Sequence, residues 1–125
     1  MNEISTNAAP AAIGAYSQAI AHEGVVYCSG QIGLTAEGQW AGTYVRSQAR
    51  QCLANLREVL MAASSRPDRV IRATIFLADM DDFAVVNEEY AAFFNEHRPA
   101  RACVEASRLP KDALVEISCI AAIGG

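Results

Sequence analysis

The segment from Ala113 to Ile123 constrains the fold more than any other part of the sequence. If this segment is a β-strand, its side chains alternate between the two faces of a sheet. A strand that is apolar on both faces is buried on both. One face must therefore pack against helices of the same chain, and the other against a further layer. The first face carries Ala113, Val115, Ile117, Cys119 and Ala121, and the second carries Leu114, Ile120 and Ala122.

Two helices are predicted from apolar residues at three- and four-residue steps. The first covers residues 45–63 and leaves Asn55 off its apolar stripe, among the charged residues of the outer side. The second covers residues 83–94, with Asp81 or Asp82 as its N-cap and with the polar Asn87 inside an otherwise apolar stripe. Each helix has one apolar face, which predicts that both lie on the same side of a sheet.

The remaining apolar, β-branched segments predict strands and give the order ββαβαββ. A strand, a long helix and another strand in succession predict parallel pairing of the two strands. The whole pattern is typical of an α+β fold whose mixed sheet has both helices packed on one face, and whose other face is covered by an oligomer. The strands are two within residues 15–31 that meet at a turn around Glu23, then residues 69–77, 101–106 and 113–123.

Composition narrows the class of protein. The 125 residues suit a single domain, residues 1–125, and 52% of them are hydrophobic, above the globular average. A formal net charge of -4 without a Lys/Arg run disfavours a bulk electrostatic grip on nucleic acid or an anionic membrane. No apolar run is long enough to span a bilayer, and the N-terminus lacks the features of a secretory signal. We expect a cytoplasmic protein.

The four cysteines form no C-x-x-C pair and have no zinc-type spacing with histidine. Their even number would allow disulfides, but with no sign of secretion we interpret them as reduced thiols. Phosphate-loop, dinucleotide and H-E-x-x-H motifs are absent as well. We therefore expect neither a metal nor a cofactor.

Glu116 is the clearest anomaly, because it interrupts the apolar strand between Val115 and Ile117. A carboxylate in such a place needs a cation, hydrogen-bond donors or water, or its pKa rises. Two interpretations stay open. Glu116 is either one half of a structural ion pair, with Arg101 as a candidate partner, or a buried general base that acts on water.

The segment PARACVEASRLP, residues 99–110, mixes a guanidinium, a thiol and a carboxylate on one strand face. Arg101 is either a surface arginine or a fork that binds a carboxylate through two parallel hydrogen bonds. Cys103 has no histidine base in a triad pattern, so we interpret it as a lining residue. The apolar face is the one expected in the core. The polar face carries Arg101, Cys103 and Glu105, and the apolar face carries Ala102, Val104 and Ala106.

Weaker candidates complete the set. Asn87 either satisfies a neighbouring backbone or supplies its amide to a site. Gly30 serves a turn or lets a ligand approach the backbone, and Tyr16 and Ser29 lie close to it in the sequence.

Several segments together resemble the reactive intermediate deaminase (Rid) family, also labelled YjgF or L-PSP endoribonuclease. The resemblance runs from about Asn7 to Ala122 and looks most like the archetypal imine-deaminase branch. The segments are NAAPAAIGAYSQA, YCSGQIGL, QARQCLANLREVL, ATIFLADMDDFAVVNEEYAAFF and, most specific of all, PARACVEASRLPKDALVEISCIA.

The resemblance implies a chorismate-mutase-like α+β fold and a homotrimer with sites between subunits. It implies hydrolysis of 2-imino acids (2-iminobutanoate and 2-iminopropanoate) and of enamine tautomers such as 2-aminoacrylate, to 2-oxo acids and ammonia, without a cofactor. The same resemblance leaves open a non-catalytic binder of small carboxylates and a ribonuclease or chaperone-like role. The net charge of -4 argues against the nuclease.

Residue roles also follow from the resemblance, position by position. Arg101 would hold the substrate carboxylate, and Glu116 would orient or activate water. Cys103 and Gly30 would offer backbone groups near the substrate, while the cleft would be lined by Tyr16, Ser29 and Asn87.

Overall fold

The structure, a computed structural model that describes residues 1–124, is organised around a six-stranded mixed sheet with two helices on one face. This architecture confirms the predicted fold class. The strands are β1 (Asn2–Ile4), β2 (Ala19–His22), β3 (Val25–Gln31), β4 (Val70–Leu77), β5 (Ala100–Glu105) and β6 (Val115–Ala122), and the helices are α1 (Val45–Ala62) and α2 (Phe83–Phe94).

The strand order β1-β2-β3-β6-β4-β5 places the last strand in the middle of the sheet. All neighbours pair antiparallel except β4 and β5, which are parallel. The predicted pairing of the strands before and after the first helix is wrong, because β6 lies between β3 and β4. The most apolar strand takes this central position because only there do neighbouring strands and helices bury it. Strand β1 was missed, since it has only three residues and no apolar pattern.

One face of β6 forms the centre of the core. Its alternate residues face the apolar stripes of α1 and α2, so the helical periodicity in the sequence correctly identified the buried helix faces. The buried residues from these three elements include Val115, Ile117, Cys119 and Ala121 from β6, Leu53, Leu56, Val59 and Leu60 from α1, and Val86, Tyr90 and Phe94 from α2.

The other sheet face is not covered by a helix within the described residues. Ile120 of β6 is paired with Tyr27 of β3, and Phe76 of β4 lies between Glu116 and Val104 on neighbouring strands. Tyr27 is 47% exposed and Val104 44% exposed. An apolar surface of this kind, which we call the open face, is typical of a protein interaction site.

Strand β5 presents its side chains in the opposite sense to the prediction. Arg101 aligns with the buried Ala73 of β4, so Arg101 and Cys103 lie on the helix face, while Ala102 and Val104 lie on the open face. The alternation of polar and apolar residues predicted the wrong buried face because β5 is an edge strand. At an edge, a long polar side chain can lie beside a helix and still reach solvent.

Asn55 also differs from the prediction, because it is buried and not on the outer side of α1. It is only 1% exposed, and its Nδ2 donates hydrogen bonds to the carbonyl oxygens of Ile32 at 3.3 Å and Leu34 at 2.8 Å. The loop after β3 folds over this side of α1 and needs donors for its carbonyls. Asn55 therefore fixes that loop to the helix.

The start of α2 confirms the predicted N-cap position but not its capping hydrogen bond. Asp82 is its N-cap residue, but the Asp82 side chain makes no capping hydrogen bond. Instead the carboxylate of Asp79 accepts from the backbone N–H of Asp81, at the start of a short 3₁₀ turn that leads into α2. Across residues 1–124, neither helix has the length and apolar character needed to cross a bilayer.

Replacement of Asn55 by alanine should destabilise the fold, because it leaves the buried carbonyl group of Leu34 without its donor. We expect the free energy of unfolding to fall by about 1–3 kcal/mol. Urea denaturation at a fixed protein concentration measures this loss. Arg57→Ala, on the exposed side of the same helix, is the control and should change stability by less than about 0.5 kcal/mol. Equal effects of the two substitutions would contradict the role given to Asn55.

Candidate functional site

The predicted site residues fall into two groups on opposite faces of the sheet. The Glu116 cluster lies toward the open face, and the Arg101 cluster lies on the helix face of β5, with β4 between the strands that carry them. A single protomer therefore does not bring Arg101 and Glu116 together. The Glu116 cluster contains Tyr16, Ser29, Gly30 and Glu116, and the Arg101 cluster contains Asn87, Arg101 and Cys103.

The Glu116 cluster lines a cavity of about 490 Å³. This volume is in the range of small-molecule sites. Ile13, Ile32 and Leu34 contribute apolar walls, and Lys111 contributes a cationic side chain from the loop between β5 and β6. The cavity thus combines one carboxyl group with surroundings that suit a small, partly apolar molecule.

Gly30 is required by the position of the Glu116 carboxyl group. Strand β3 is irregular between Cys28 and Gln31, which brings the Gly30 backbone toward Glu116. A Cβ atom at residue 30 would lie 2.9 Å from Cδ of Glu116 and closer still to its Oε2. Only glycine leaves this space free, so the two residues form one unit.

Glu116 is a half-buried carboxyl group without a partner. Among residues 1–124 no side chain or backbone group donates a hydrogen bond to it, and it forms no ion pair there. The structural ion pair with Arg101, one of the two interpretations from the sequence, therefore does not occur within a protomer. Burial raises the pKa of Glu116 above its ordinary value of 4.5. A carboxyl group in this state is suited to exchange protons with a ligand or with water.

Ser29 and Tyr16 line the cavity, but the hydrogen bonds of their side chains go to backbone groups and not to Glu116. The hydroxyl of Ser29 donates to the carbonyl oxygen of Ser17 at 2.6 Å. The phenol oxygen of Tyr16 accepts from the backbone N–H of Ile13 at 3.3 Å. The first contact ties the segment before β2 to β3, and the second lies within that segment.

The Arg101 cluster forms where side chains of β5 contact side chains of α2. Nη1 of Arg101 donates to Oδ1 of Asn87 at 2.6 Å, and the guanidinium carbon lies 4.9 Å from the ring centroid of Tyr90 and 5.4 Å from that of Phe83. All three partners are neutral.

No carboxylate neutralises Arg101 within the described chain. By contrast, Arg46 and Arg50 both bind Glu89, and Arg108 binds Asp112. Arg101 thus keeps its charge and most of its N–H donors available for an anion. A guanidinium with free donors matches the two oxygen atoms of a carboxylate.

Cys103 is half-buried beside Arg101 and packs against the core. Burial raises the pKa of its thiol, and the nearby positive charge of Arg101 opposes that shift only in part. A raised thiol pKa disfavours the reactive thiolate, in keeping with a lining role. Residues 1–124 contain no group of three or more His, Cys, Asp and Glu side chains placed to hold a metal ion.

Three buried amides support the cavity and were missed as functional residues from the sequence. Besides Asn55, Gln18 accepts from the backbone N–H of Thr6 at 2.7 Å and donates to Pro10, and Gln48 accepts from the backbone N–H of Leu114 at 2.9 Å. Each amide fixes a loop that borders the cavity. Gln48 could have been found, because it falls on the apolar stripe of α1 where a polar residue is unexpected.

The loop between β5 and β6 adopts an uncommon backbone conformation next to the cavity. Lys111 has φ 56° and Asp112 has φ 58°, both in the left-handed region that side chains disfavour. The ion pair between Asp112 and Arg108, at 2.7 Å, helps to hold this turn. Backbone strain of this kind clusters at functional sites.

With the geometry established, comparison with known proteins identifies the family. The sequence model of the endoribonuclease L-PSP family matches residues 6–123. The chain belongs to the L-PSP, or Rid, family. The resemblance found in the sequence is therefore confirmed over nearly the whole chain.

Relatives of known name and structure agree with this assignment. A Rattus norvegicus protein named 2-iminobutanoate/2-iminopropanoate deaminase is 46% identical over 122 residues, which cover 97% of this chain and 89% of the relative. An Entamoeba histolytica structure described as an endoribonuclease L-PSP is 50% identical, with a TM-score of 0.96 and coverage of 98% of both chains. The structure of E. coli TdcF with bound serine is 39% identical, with a TM-score of 0.94 and coverage of 99% of this chain and 100% of TdcF.

Substitution of Gly30 by alanine tests the link between Gly30 and Glu116. The added methyl group should displace the Glu116 carboxyl group toward solvent, with little loss of stability because a flexible carboxylate can move. The pKa of Glu116, measured by ¹³C NMR titration of its carboxyl carbon, should then fall toward 4.5. The control for stability is Gly30→Ala in a Glu116→Ala background. There the methyl group meets no carboxylate, and the free energy of unfolding should not change. An unchanged Glu116 pKa and position in Gly30→Ala would refute the proposed contact.

Proposed function

We propose that this protein hydrolyses 2-imino acids to 2-oxo acids and ammonia at a site that two protomers complete. The observation that carries the proposal is the complementary state of the two clusters. Arg101 is a cation without an anion, and Glu116 is a half-buried carboxyl group without a cation. The name of the rat relative, 2-iminobutanoate/2-iminopropanoate deaminase, supports the same reaction.

The assembly that joins the clusters is proposed to be a homotrimer with three equivalent sites. A closed ring of heterologous contacts places one edge of each protomer against a different surface of the next. In this arrangement β5, the edge strand that carries Arg101, lies beside the Glu116 cavity of its neighbour. The exposure of Val104 and Tyr27 supports burial of the open face in such a contact.

The proposed substrates are small imino acids, namely 2-iminobutanoate and 2-iminopropanoate, together with the enamine 2-aminoacrylate. Their shared carboxylate suits Arg101, and their short side chains suit the apolar walls at Ile13, Ile32 and Leu34. The serine bound by TdcF is likewise a small molecule with an amino acid carboxylate. Because all four cysteines are free, we place the reaction in a reducing compartment, the cytoplasm.

In the proposed mechanism Arg101 holds the carboxylate and fixes the position of the C=N carbon. The protonated C=N carbon is already electrophilic, so no covalent intermediate is needed. Ionised Glu116 takes a proton from a water molecule as the water oxygen attacks that carbon. Glu116 then returns the proton to nitrogen, and the C–N bond breaks as ammonia leaves. The hydroxyl proton passes to ammonia, which leaves a 2-oxo acid and ammonium.

The enamine tautomer first needs a proton on its terminal carbon. Burial increases the protonated fraction of Glu116, and this form is the proposed donor. Carbon protonation converts the enamine to the iminium that water then attacks. A single carboxyl group with a raised pKa thus serves both tautomers.

Substitution of either charged residue should abolish catalysis without unfolding the protein. A pyridoxal-phosphate-dependent threonine dehydratase supplies 2-iminobutanoate, and the appearance of 2-oxobutanoate is followed with and without this protein. Wild type should accelerate the reaction. Arg101→Ala and Glu116→Gln should each reduce the enzyme-dependent rate by about 10²–10⁴-fold.

Arg57→Ala is the matched control for loss of an exposed arginine and should retain the wild-type rate. A folded Arg101→Ala or Glu116→Gln protein with near-wild-type activity would remove that residue from the mechanism. The same preparations incubated with RNA test the role in the family label. We expect no cleavage, in line with a net charge of -4. Cleavage of RNA without acceleration of imine hydrolysis would replace the proposed function.

The dependence of the rate on pH should report the state of Glu116. As the pH falls through the raised pKa, Glu116 becomes protonated and can no longer act as a base. The acid limb of kcat/KM should therefore have its midpoint above 4.5, and this limb should be absent in any residual activity of Glu116→Gln. Persistence of the same acid limb in Glu116→Gln would contradict the assignment.

The contribution of Glu116 to the free energy of unfolding should also depend on pH, and it should decrease as the pH rises. The raised pKa means that the folded state prefers protonated Glu116, so the favourable contribution of this residue is complete below 4.5 and is lost as the pH rises through the raised pKa. Glu116→Gln should remove this dependence. Urea denaturation across the same pH range measures it.

A further inference from the structure

Helix α2 presents a ring, an amide and a second ring to Arg101. Phe83, Asn87 and Tyr90 follow one another at steps of four and three residues, so all three lie on one face of the helix. The Arg101 guanidinium carbon is 5.4 Å from the Phe83 centroid and 4.9 Å from the Tyr90 centroid, and Asn87 accepts one N–H. Both rings lie within the distance at which an aromatic face attracts a cation.

The rings hold the guanidinium without neutralising it. A free arginine side chain loses considerable rotamer entropy when it is fixed, so a fixed Arg101 needs attractive neighbours. A carboxylate in their place, such as the one that binds Arg46 and Arg50, would occupy the N–H donors and compete with a ligand carboxylate. Aromatic faces supply the attraction and leave the donors free.

Tyr90 contributes through its ring and not through its hydroxyl group. Its side chain is 5% exposed and its ring packs 4.7 Å from that of Phe94, which anchors it to the core. Within residues 1–124 the hydroxyl oxygen is buried and has no hydrogen-bond partner. Burial raises the pKa of this hydroxyl, so it stays protonated and neutral beside Arg101.

We propose that Phe83 and Tyr90 are positioning residues that hold the Arg101 guanidinium ready for the substrate carboxylate. This inference rests on the proposed function of Arg101 and extends it to two residues that do not touch the substrate. Loss of either ring loosens Arg101 and weakens carboxylate binding. Glu116 lies on the other face of the sheet, so the proton-transfer group of the same protomer is unaffected.

The mobility of Arg101 tests the positioning without reference to catalysis. In protein with ¹⁵N-labelled arginine, relaxation of the Nε–H group should show Arg101 ordered on the nanosecond timescale. Arg57, an exposed arginine 3.9 Å from Glu58, is the reference for a loosely held side chain. Phe83→Leu and Tyr90→Leu should both increase the mobility of Arg101, whereas Tyr90→Phe, which keeps the ring, should not.

Carboxylate binding provides the second measurement. The dissociation constant of 2-oxobutanoate, the reaction product, and the KM for 2-iminobutanoate should rise roughly 3- to 30-fold in Phe83→Leu and Tyr90→Leu. We expect kcat to change less than KM, and Tyr90→Phe to bind within about twofold of wild type, since its lost hydroxyl has no partner. In an Arg101→Ala background, Phe83→Leu should have no further effect on 2-oxobutanoate binding.

A purely structural role would lower the melting temperature but leave the dissociation constant and KM of the folded protein unchanged. That result, equal losses in Tyr90→Phe and Tyr90→Leu, or an Arg101 as mobile as Arg57 in wild type, would overturn the proposal. Failure of the proposed function has a different signature. Arg101 would be ordered by its rings, but wild type would neither bind 2-oxobutanoate nor accelerate its formation.

Discussion

The proposed site depends on the placement of a carboxyl group, Glu116, in the central strand of the sheet. On one face β6 packs beneath both helices, and on the other Glu116 lies beside the Gly30 backbone in a cavity fixed by buried amides. Desolvation without a compensating cation disfavours the charged form of this group. In the proposed function this cost is offset by the gain of a carboxyl group that exchanges protons.

Arg101, the second charged group, lies on the helix face of the sheet, where neutral groups hold it. Arg101 is exposed at the sheet edge, yet an amide and two aromatic rings hold it without cancelling its charge. Each group lacks the partner that would satisfy it, and within a protomer β4 separates the strands that carry them. Assembly that covers the apolar open face would supply a neighbour to each, with space between them for a small anion.

Much of this arrangement could be predicted from the sequence. The periodicity of residues 45–63 and 83–94 identified both helices. The two-sided apolar pattern of residues 113–123 identified the central strand, whose second face is only half-buried within a protomer. Local patterns failed where tertiary contacts decide the outcome. The face of β5 depends on its alignment with β4, and the burial of Asn55 depends on a loop that folds back from β3. The separation of Arg101 from Glu116 follows from strand order, which no local pattern contains.

The central claim is that one site takes Arg101 from one protomer and Glu116 from another. Arg101→Ala and Glu116→Gln chains, each inactive alone, are mixed in equal amounts, unfolded together and refolded. In mixed oligomers about one quarter of the sites should regain both residues, since each half is intact in half of the chains, and activity should recover to about a quarter of wild type. Refolded mixtures with no more activity than the separately refolded variants would contradict the account.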